Sequence, residues 1–448
     1  MSQKESILKY NLELPKLNSD ELNEYNNIKN EIIQLKLNNN ITITQKEIKK
    51  ILKQHNIKNQ ENILQKITQE LTGYKELTPL IEDDNLEEIM IIGNNKPVYI
   101  YHRTKGMMKT NLIFTKESQI RQIIDKIAQQ VNRKIDQQTP ILDARLKDGS
   151  RVNATIPPIS SDGSTLTIRK FKKDPLTIID LINNKTLTTH LAAFLWLSIE
   201  GLGINPINMI IAGGTGSGKT TTLNTLTTFI PSYERLITIE DTLEIQTAHK
   251  HTIRLETRPP NIEQKGEITM DMLLKNSLRQ RPDKIIVGEV RSKEAMTLFT
   301  ALNTGHSGMG TVHANTTKET ISRLRNPPMN VPQIMITSLN YIIMQNRLYN
   351  AKQGTIRRIT EVAEIVGSEQ DQIQLNKIYQ YNNKKDTLDY TAITCVALRE
   401  IAKKKGITTK EIEDELKKRQ KTLEYMQEKN IHQIDDVQEI IDQYYKNQ

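Results

Sequence analysis

Residues 213–220 read GGTGSGKT, the pattern Gly-x-x-x-x-Gly-Lys-Thr. No other stretch restricts the surrounding fold as strongly. Glycines at 213, 214, 216 and 218 let the backbone turn and point its N–H groups inward. With a helix N-terminus behind them, such donors form a cavity for phosphate oxygens. The loop therefore calls for a buried strand before it and a helix after it. INMIIA (207–212) is a mostly apolar run suited to a parallel strand, and Pro206 is tolerable at its opening. TTLNTLTTFI (221–230) supplies the helix. This is a nucleotide-binding P-loop. Gly213, Gly214, Thr215, Gly216, Ser217, Gly218 and Thr221 line the cradle, Lys219 reaches the β- and γ-phosphates of ATP, and the Thr220 hydroxyl holds Mg²⁺.

The rest of the pattern is that of an α/β protein in several parts. From about residue 190, strands expected at 207–212, 235–240, 284–288 and 309–313 alternate with helices, which predicts a parallel sheet covered on both faces. A strand pair over 355–380 closes that domain. Between 73 and 178, short apolar runs at 88–92, 97–101, 150–156 and 164–171 surround a helical spacing over 119–133. This is a mixed α+β domain, and the Lys-rich stretch 170–184 reads as its connector to the next. Residues 1–72 form a polar extension. Positions 1–40 are Asn-rich and expected to be loosely ordered. Thr44-Gln45-Lys46-Glu47 then matches a capping box, and Ile63, Leu64, Ile67 and Leu71 share a second helical face. After residue 391 the chain is helical and charged. Ile412, Leu416, Leu423 and Met426 are expected to pack inward, with Glu413→Lys417, Asp414→Lys418 and Glu415→Arg419 as surface pairs. The expected domains are 1–72, 73–178, 179–391 and 392–448.

Composition excludes several classes. Cys395 is the only cysteine, so neither an intrachain disulfide nor a cysteine zinc site can form. No stretch approaches 18 apolar residues, and the N-terminus lacks the apolar core of a signal peptide. An intracellular chain is expected, with any membrane contact peripheral. The net charge of +9 permits contact with nucleic acid or anionic lipid without requiring it, and 4% aromatics leave little for base stacking.

Four further stretches bear on the P-loop. ITIEDTLEIQ (237–246) puts Glu240, Asp241 and Glu244 at a strand end facing the expected crevice, where they hold Mg²⁺ through water, orient the attacking water, or cap the next helix. KIIVGEVR (284–291) is a strand ending in Gly288-Glu289. P-loop ATPases commonly place an acid there, and with glycine at 288 the role falls to Glu289; the alternative is a surface turn. GHSGMGTVHA (305–314) carries His306 and His313 on either side of a strand, as a γ-phosphate sensor or a hydrogen-bonded core histidine. RLETRP (254–259) offers Arg254 and Arg258 as candidates for stabilising transition-state charge.

In this order and spacing, the P-loop, TIEDTLE (238–244), LRQRPDKIIVGEVR (278–291) and GHSGMGTVHA resemble the type II/type IV secretion ATPase superfamily. ILDARLKDGSRVNATIPP (141–158) and TIRKF (167–171) resemble its N-terminal domain, so the resemblance runs from about 73 to 367. It implies a RecA-like P-loop core preceded by an α+β, PAS-like domain. The helical C-terminal tail resembles archaeal pilus and archaellum members. The resemblance assigns Glu244 to polarising water, Glu289 to the metal-side strand, where Thr220 and Glu240 are the other metal candidates, and His313 to the γ-phosphate. Arg254 and Arg258 match arginines supplied by a neighbouring domain or subunit; Arg145, Arg151 and Arg169 match those that close over nucleotide. It further implies a homohexameric ring at the cytoplasmic face of the membrane, working on a polytopic platform protein without binding nucleic acid directly. The single cysteine departs from bacterial type II members with a four-cysteine zinc subdomain. A nucleic-acid translocase with the same core is the rival. A non-hydrolysing switch would lack acids such as Glu244 and Glu289.

Overall fold

The structure, a computed structural model, describes residues 7–15, 17–39, 45–55, 60–171, 174–260, 265–350, 354–369, 372–391 and 395–447. The chain divides into two compact units, Met1–Lys173 and Asp174–Gln448.

The first unit contains strands β1 (Leu8–Tyr10), β2 (Leu86–Ile92), β3 (Pro97–His102), β4 (Gly106–Ile113), β5 (Ile141–Arg145), β6 (Arg151–Thr155) and β7 (Thr165–Arg169). They form one sheet in the order β1-β4-β3-β2-β7-β6-β5, antiparallel except for the β1–β4 pair. Ile120, Ile123, Ile124 and Ile127 recur at helical spacing on helix Glu117–Gln130 and are buried in the same core as Ile89, Ile100 and Ile168 of the sheet.

Residues 1–40 are not a loose extension throughout: helix Ser19–Asn39 occupies most of the stretch, and β1 joins the sheet beside β4. Tyr25, Ile28 and Ile32 form a narrow apolar stripe that packs with Ile48, Leu52, Ile63 and Ile67 of the next two helices, Gln45–Gln54 and Gln60–Leu71. The stripe is too thin to stand out among Asn, Glu and Lys, and only the neighbouring helices make it a core. The capping box proposed at Thr44 starts outside the described residues.

The second unit is built on a nine-stranded sheet: β8 (Met209–Gly213), β9 (Leu236–Glu240), β10 (Thr252–Glu256), β11 (Lys284–Val287), β12 (Ser307–His313), β13 (Tyr341–Asn350), β14 (Gly354–Glu369), β15 (Gln372–Asn382) and β16 (Thr387–Tyr390). The order is β10-β9-β11-β12-β8-β13-β14-β15-β16. The first six are parallel and the last three antiparallel. β8 is apolar without interruption because both its faces are covered. Met209 and Ile211 enter one core, Ile210 and Ala212 the other. β10 and β13 had no counterpart in the expected strands.

The C-terminal helices Val396–Lys405, Thr409–Glu428 and Ile434–Lys446 belong to this unit. Ile412, Leu423 and Met426 are buried, and Leu416 packs against them partly exposed. Arg419 departs from the expected solvated charge run: its side chain is wholly buried, 2.5 Å from Glu200 and 2.7 Å from Glu415. Its guanidinium lies over Tyr444 and Trp196, and Trp196 stacks on Phe229. The acidic partner Glu200 sits more than two hundred residues away in sequence, so helical spacing alone could not reveal the burial.

Candidate nucleotide site

β8 ends at Gly213 with β12 on one side and β13 on the other. A side chain at 213 has no room. Its Cβ would lie 2.1 Å from the Gln345 carbonyl oxygen of β13 and 2.6 Å from Ser217 Oγ. Gly216 and Gly218 adopt φ of +71° and +92°, the left-handed region open to glycine, and Gly218 opens helix Lys219–Leu226. The pattern GxxxxGKT is thus satisfied as geometry: a strand, a left-handed turn, and a helix whose first amides face the turn. Thr220 and Thr221 follow in the first helical turn, both half-buried. Lys219 is buried to 9% exposure and its Nζ donates to the Gly214 carbonyl at 3.1 Å. Burial pushes its ammonium pKa down, the nearby Glu289 carboxylate pulls it up, and Arg291 lowers it again. Lys219 thus stands near enough to Glu289, just past the end of β11, to feel its charge.

Three parallel strands deliver side chains to that region. His313 of β12 pairs with Gly213, and its Nε2 lies 3.1 Å from Thr215 Oγ1 of the loop. His306 sits before the opposite end of the same strand and makes no such contact. Glu289 follows β11 and accepts from Arg291 Nη2 at 2.6 Å, while Arg291 Nη1 lies 3.5 Å from Asp241 beyond β9. Arg291 thus ties the ends of two strands together.

Glu240 closes β9 and is 2% exposed. Its Oε1 accepts the amides of Glu244 and Ile245 at 2.8 and 3.0 Å, so its carboxylate shapes the loop that carries Glu244. Its Oε2 is buried with no hydrogen-bond partner. Burial pushes the carboxyl up to about 7 against the pull of those two amides. The glycine at 288 has its reason here. A Cβ there would meet Glu240 Cγ at 3.0 Å, so Glu240 fills the space an aspartate at 288 would need.

Two of the remaining candidates belong to the second unit and three to the first. Arg254 of β10 donates through Nη2 to the Ile245 carbonyl at 2.8 Å, and Arg258 through Nε to Gly266 at 2.8 Å; both are exposed. Arg145, Arg151 and Arg169 belong to the first unit. There they stand directly opposite one another across β5, β6 and β7, a row that continues to Glu88 of β2. Sequence reasoning missed Arg347 and Arg357, which also touch the loop: β13 was not foreseen, and the strand pair expected over 355–380 carried no sign that it reaches the P-loop.

Among the described residues, no group of three or more His, Cys, Asp or Glu is placed to hold a metal ion. A Mg²⁺ ion does not need one, because it keeps several waters and takes substrate phosphate oxygens as ligands. Thr220 at the helix start, Glu289, and the unpartnered oxygen of Glu240 are oxygen donors of the kind it takes.

This loop, set between a parallel strand and a helix and flanked by acid-ended strands, defines a P-loop NTPase with a RecA-like core. A preceding α+β unit and a helical C-terminal segment complete the architecture. The chain belongs to the Type II/IV secretion system protein family, whose model matches residues 31–445. The family is one of secretion and pilus ATPases, and ATP hydrolysis is its general chemistry. An uncharacterized protein of Methanocaldococcus jannaschii, MJ0781, is 34% identical across 81% of this chain and 74% of its own length. The conjugal transfer protein TrbB of Rhizobium radiobacter is 30% identical across 65% of this chain and 87% of its own. Among solved structures, the pilus retraction motor PilT with bound ADP aligns over 82% of this chain and 96% of its own, at 19% identity and a TM-score of 0.46. No helix among the described residues is long and apolar enough to cross a membrane.

Proposed function

We propose that this chain is a ring-forming motor that hydrolyses ATP at the P-loop to drive filament assembly or protein secretion at the inner face of a membrane. The observation that carries the reading is the P-loop itself, with glycines in left-handed turns behind β8, Lys219 bonded within the loop, and His313 of β12 held 3.1 Å from its Thr215. The loop amides and Lys219 bind the β- and γ-phosphates. Mg²⁺, held by Thr220 with Glu240 and Glu289 nearby, supplies charge neutralisation at the phosphates. Glu244 polarises the attacking water, whose oxygen bonds to the γ-phosphorus as the bond to the β-bridging oxygen breaks, giving ADP and phosphate. His313 is coupled to Thr215 and so carries the presence of the γ-phosphate into β12. Arg254 and Arg258 stabilise transition-state charge across a subunit boundary. Arg145, Arg151 and Arg169 close over the nucleotide, so that binding and release swing the α+β domain against the core. Six such strokes around a homohexamer act on a polytopic membrane partner. That partner builds a type IV pilus-like filament or an archaellum, or drives type II-like secretion.

Fractionation of cells with and without the membrane partner tests the destination. Charge attraction to anionic lipid is worth only about 1 kcal/mol per basic residue, so moderate salt should strip lipid-only binding and leave partner-dependent binding. A protein that stays in the soluble fraction in both cells, and co-purifies with nucleic acid in a salt-sensitive way, would replace this reading by a translocase.

A further inference from the structure

We propose that the β13–β14 hairpin is the second wall of the nucleotide site, with Arg347 and Arg357 holding the α-phosphate and Tyr349 taking the base. The proposal rests on the P-loop reading and extends it to the other end of the nucleotide. β13 runs parallel to β8 in the register Tyr341↔Met209 to Met344↔Ala212, then continues to Asn350, beyond the end of β8. Everything after Met344 therefore overhangs the loop. From Gln345 outward the pairing with β14 is regular, Gln345↔Ile359, Arg347↔Arg357 and Tyr349↔Thr355. Alternation then puts Gln345, Arg347, Tyr349 and Arg357 on one face.

That face meets the P-loop. Arg357 Nε donates to the Gly216 carbonyl at 2.9 Å. Arg357 Cδ and Gln345 Nε2 lie 3.2 and 3.0 Å from where a Gly218 Cβ would stand, and Arg347 Nη1 lies 3.4 Å from that of Gly216. Glycine at 216 and 218 thus leaves room for two guanidinium groups as well as for the turn. Like charges directly opposite on a sheet destabilise it. Yet among the described residues neither arginine has a carboxylate partner, and both are exposed. An anion between them resolves the repulsion, and a guanidinium fork matches phosphate oxygens. Gln345 is 1% exposed, and its Oε1 has no partner. Tyr349, two residues beyond Arg347, is 81% exposed, an open aromatic face.

The direction of the nucleotide follows from the opposite wall. His313 of β12 reaches Thr215, and Glu289 follows β11, so the histidine and the acid stand on the β12–β11 side of β8, which takes the γ-phosphate end. The β13 side is left for the α-phosphate, the sugar and the base.

Calorimetric titration of the full chain with ATP, ADP and inorganic tripolyphosphate, in the presence of Mg²⁺, tests this. Arg347→Ala and Arg357→Ala should each weaken ADP on the order of tenfold or more, the loss expected for a charge-assisted contact. Tyr349→Ala should weaken ATP and ADP on the order of tenfold while leaving tripolyphosphate bound as in wild type, because stacking needs a base. Tyr349→Phe should recover the loss. Unchanged ADP binding in both arginine variants, or a Tyr349→Ala variant that loses tripolyphosphate as much as ATP, overturns the clamp. If the wild-type chain binds neither ATP nor tripolyphosphate, the P-loop reading itself fails. Thermal melts of each variant separate lost binding from lost folding.

Discussion

Replacing Glu240 by glutamine should remove a pH dependence from the stability of the P-loop unit. The Glu240 carboxyl is buried at the end of β9 and holds its proton up to about pH 7, where an ordinary glutamate releases it near 4.5. The folded state thus binds a proton that the unfolded state has lost. Stability from this group is fully present below pH 4.5 and is lost as pH rises through 7. A difference of two to three pKa units at about 1.4 kcal/mol each gives about 3 kcal/mol in all. Glutamine at 240 presents a carbonyl to the same two amides, those of Glu244 and Ile245, and does not titrate. Glu240→Gln should therefore gain on wild type by about 2–3 kcal/mol between pH 5 and pH 8. For a unit of this size that is a relative rise in melting temperature of roughly 4–6 °C. Calorimetric melts of the nucleotide-free protein across that range measure it, and every other titrating group cancels in the comparison. Parallel curves for the two proteins, offset equally at all pH values, would refute the burial argument.

Three further outcomes follow from the same geometry. Glu244→Gln should bind ATP with Mg²⁺ yet hydrolyse it about 10²–10⁴ times more slowly; loss of binding in a fluorescent-nucleotide titration would make Glu244 structural instead. Arg419→Met leaves Glu200 buried and unpaired, so urea unfolding should show a loss of about 3–5 kcal/mol, recovered in part by adding Glu200→Gln. Mixing Lys219→Ala subunits with Arg254→Ala or Arg258→Ala subunits should restore some turnover if those arginines act across a boundary, and specific activity should rise with concentration; absence of both effects points to a self-contained site.

The parallel core was legible because its signals are local. A glycine loop behind an apolar strand is readable in a dozen residues, and the acids and the histidine lie at or just past the ends of strands that helix–strand alternation marks as parallel. What escaped depends on distant partners. Helix Ser19–Asn39 needed the two helices after it to turn Tyr25, Ile28 and Ile32 into a core. Arg419 looked like one member of a solvated run until Glu200, from a helix before the P-loop, met it. The glycine at 288 looked like a departure from the usual acid, whereas Glu240 of the neighbouring strand occupies that space. Arg347 and Arg357 sit more than thirty residues beyond the last recognisable motif, Arg347 on a strand whose polar outer half, QNRLYN, hid its continuation past β8, and Arg357 on its partner strand β14.

The central claim is that ATP is bound and hydrolysed at the P-loop through Lys219. Steady-state phosphate release by the purified chain with ATP and Mg²⁺, compared with Lys219→Ala of the same thermal stability, tests it most directly. Turnover in wild type that disappears in the variant is the expected result. Equal turnover in both proteins, or none in wild type at any concentration that permits ring formation, would contradict it.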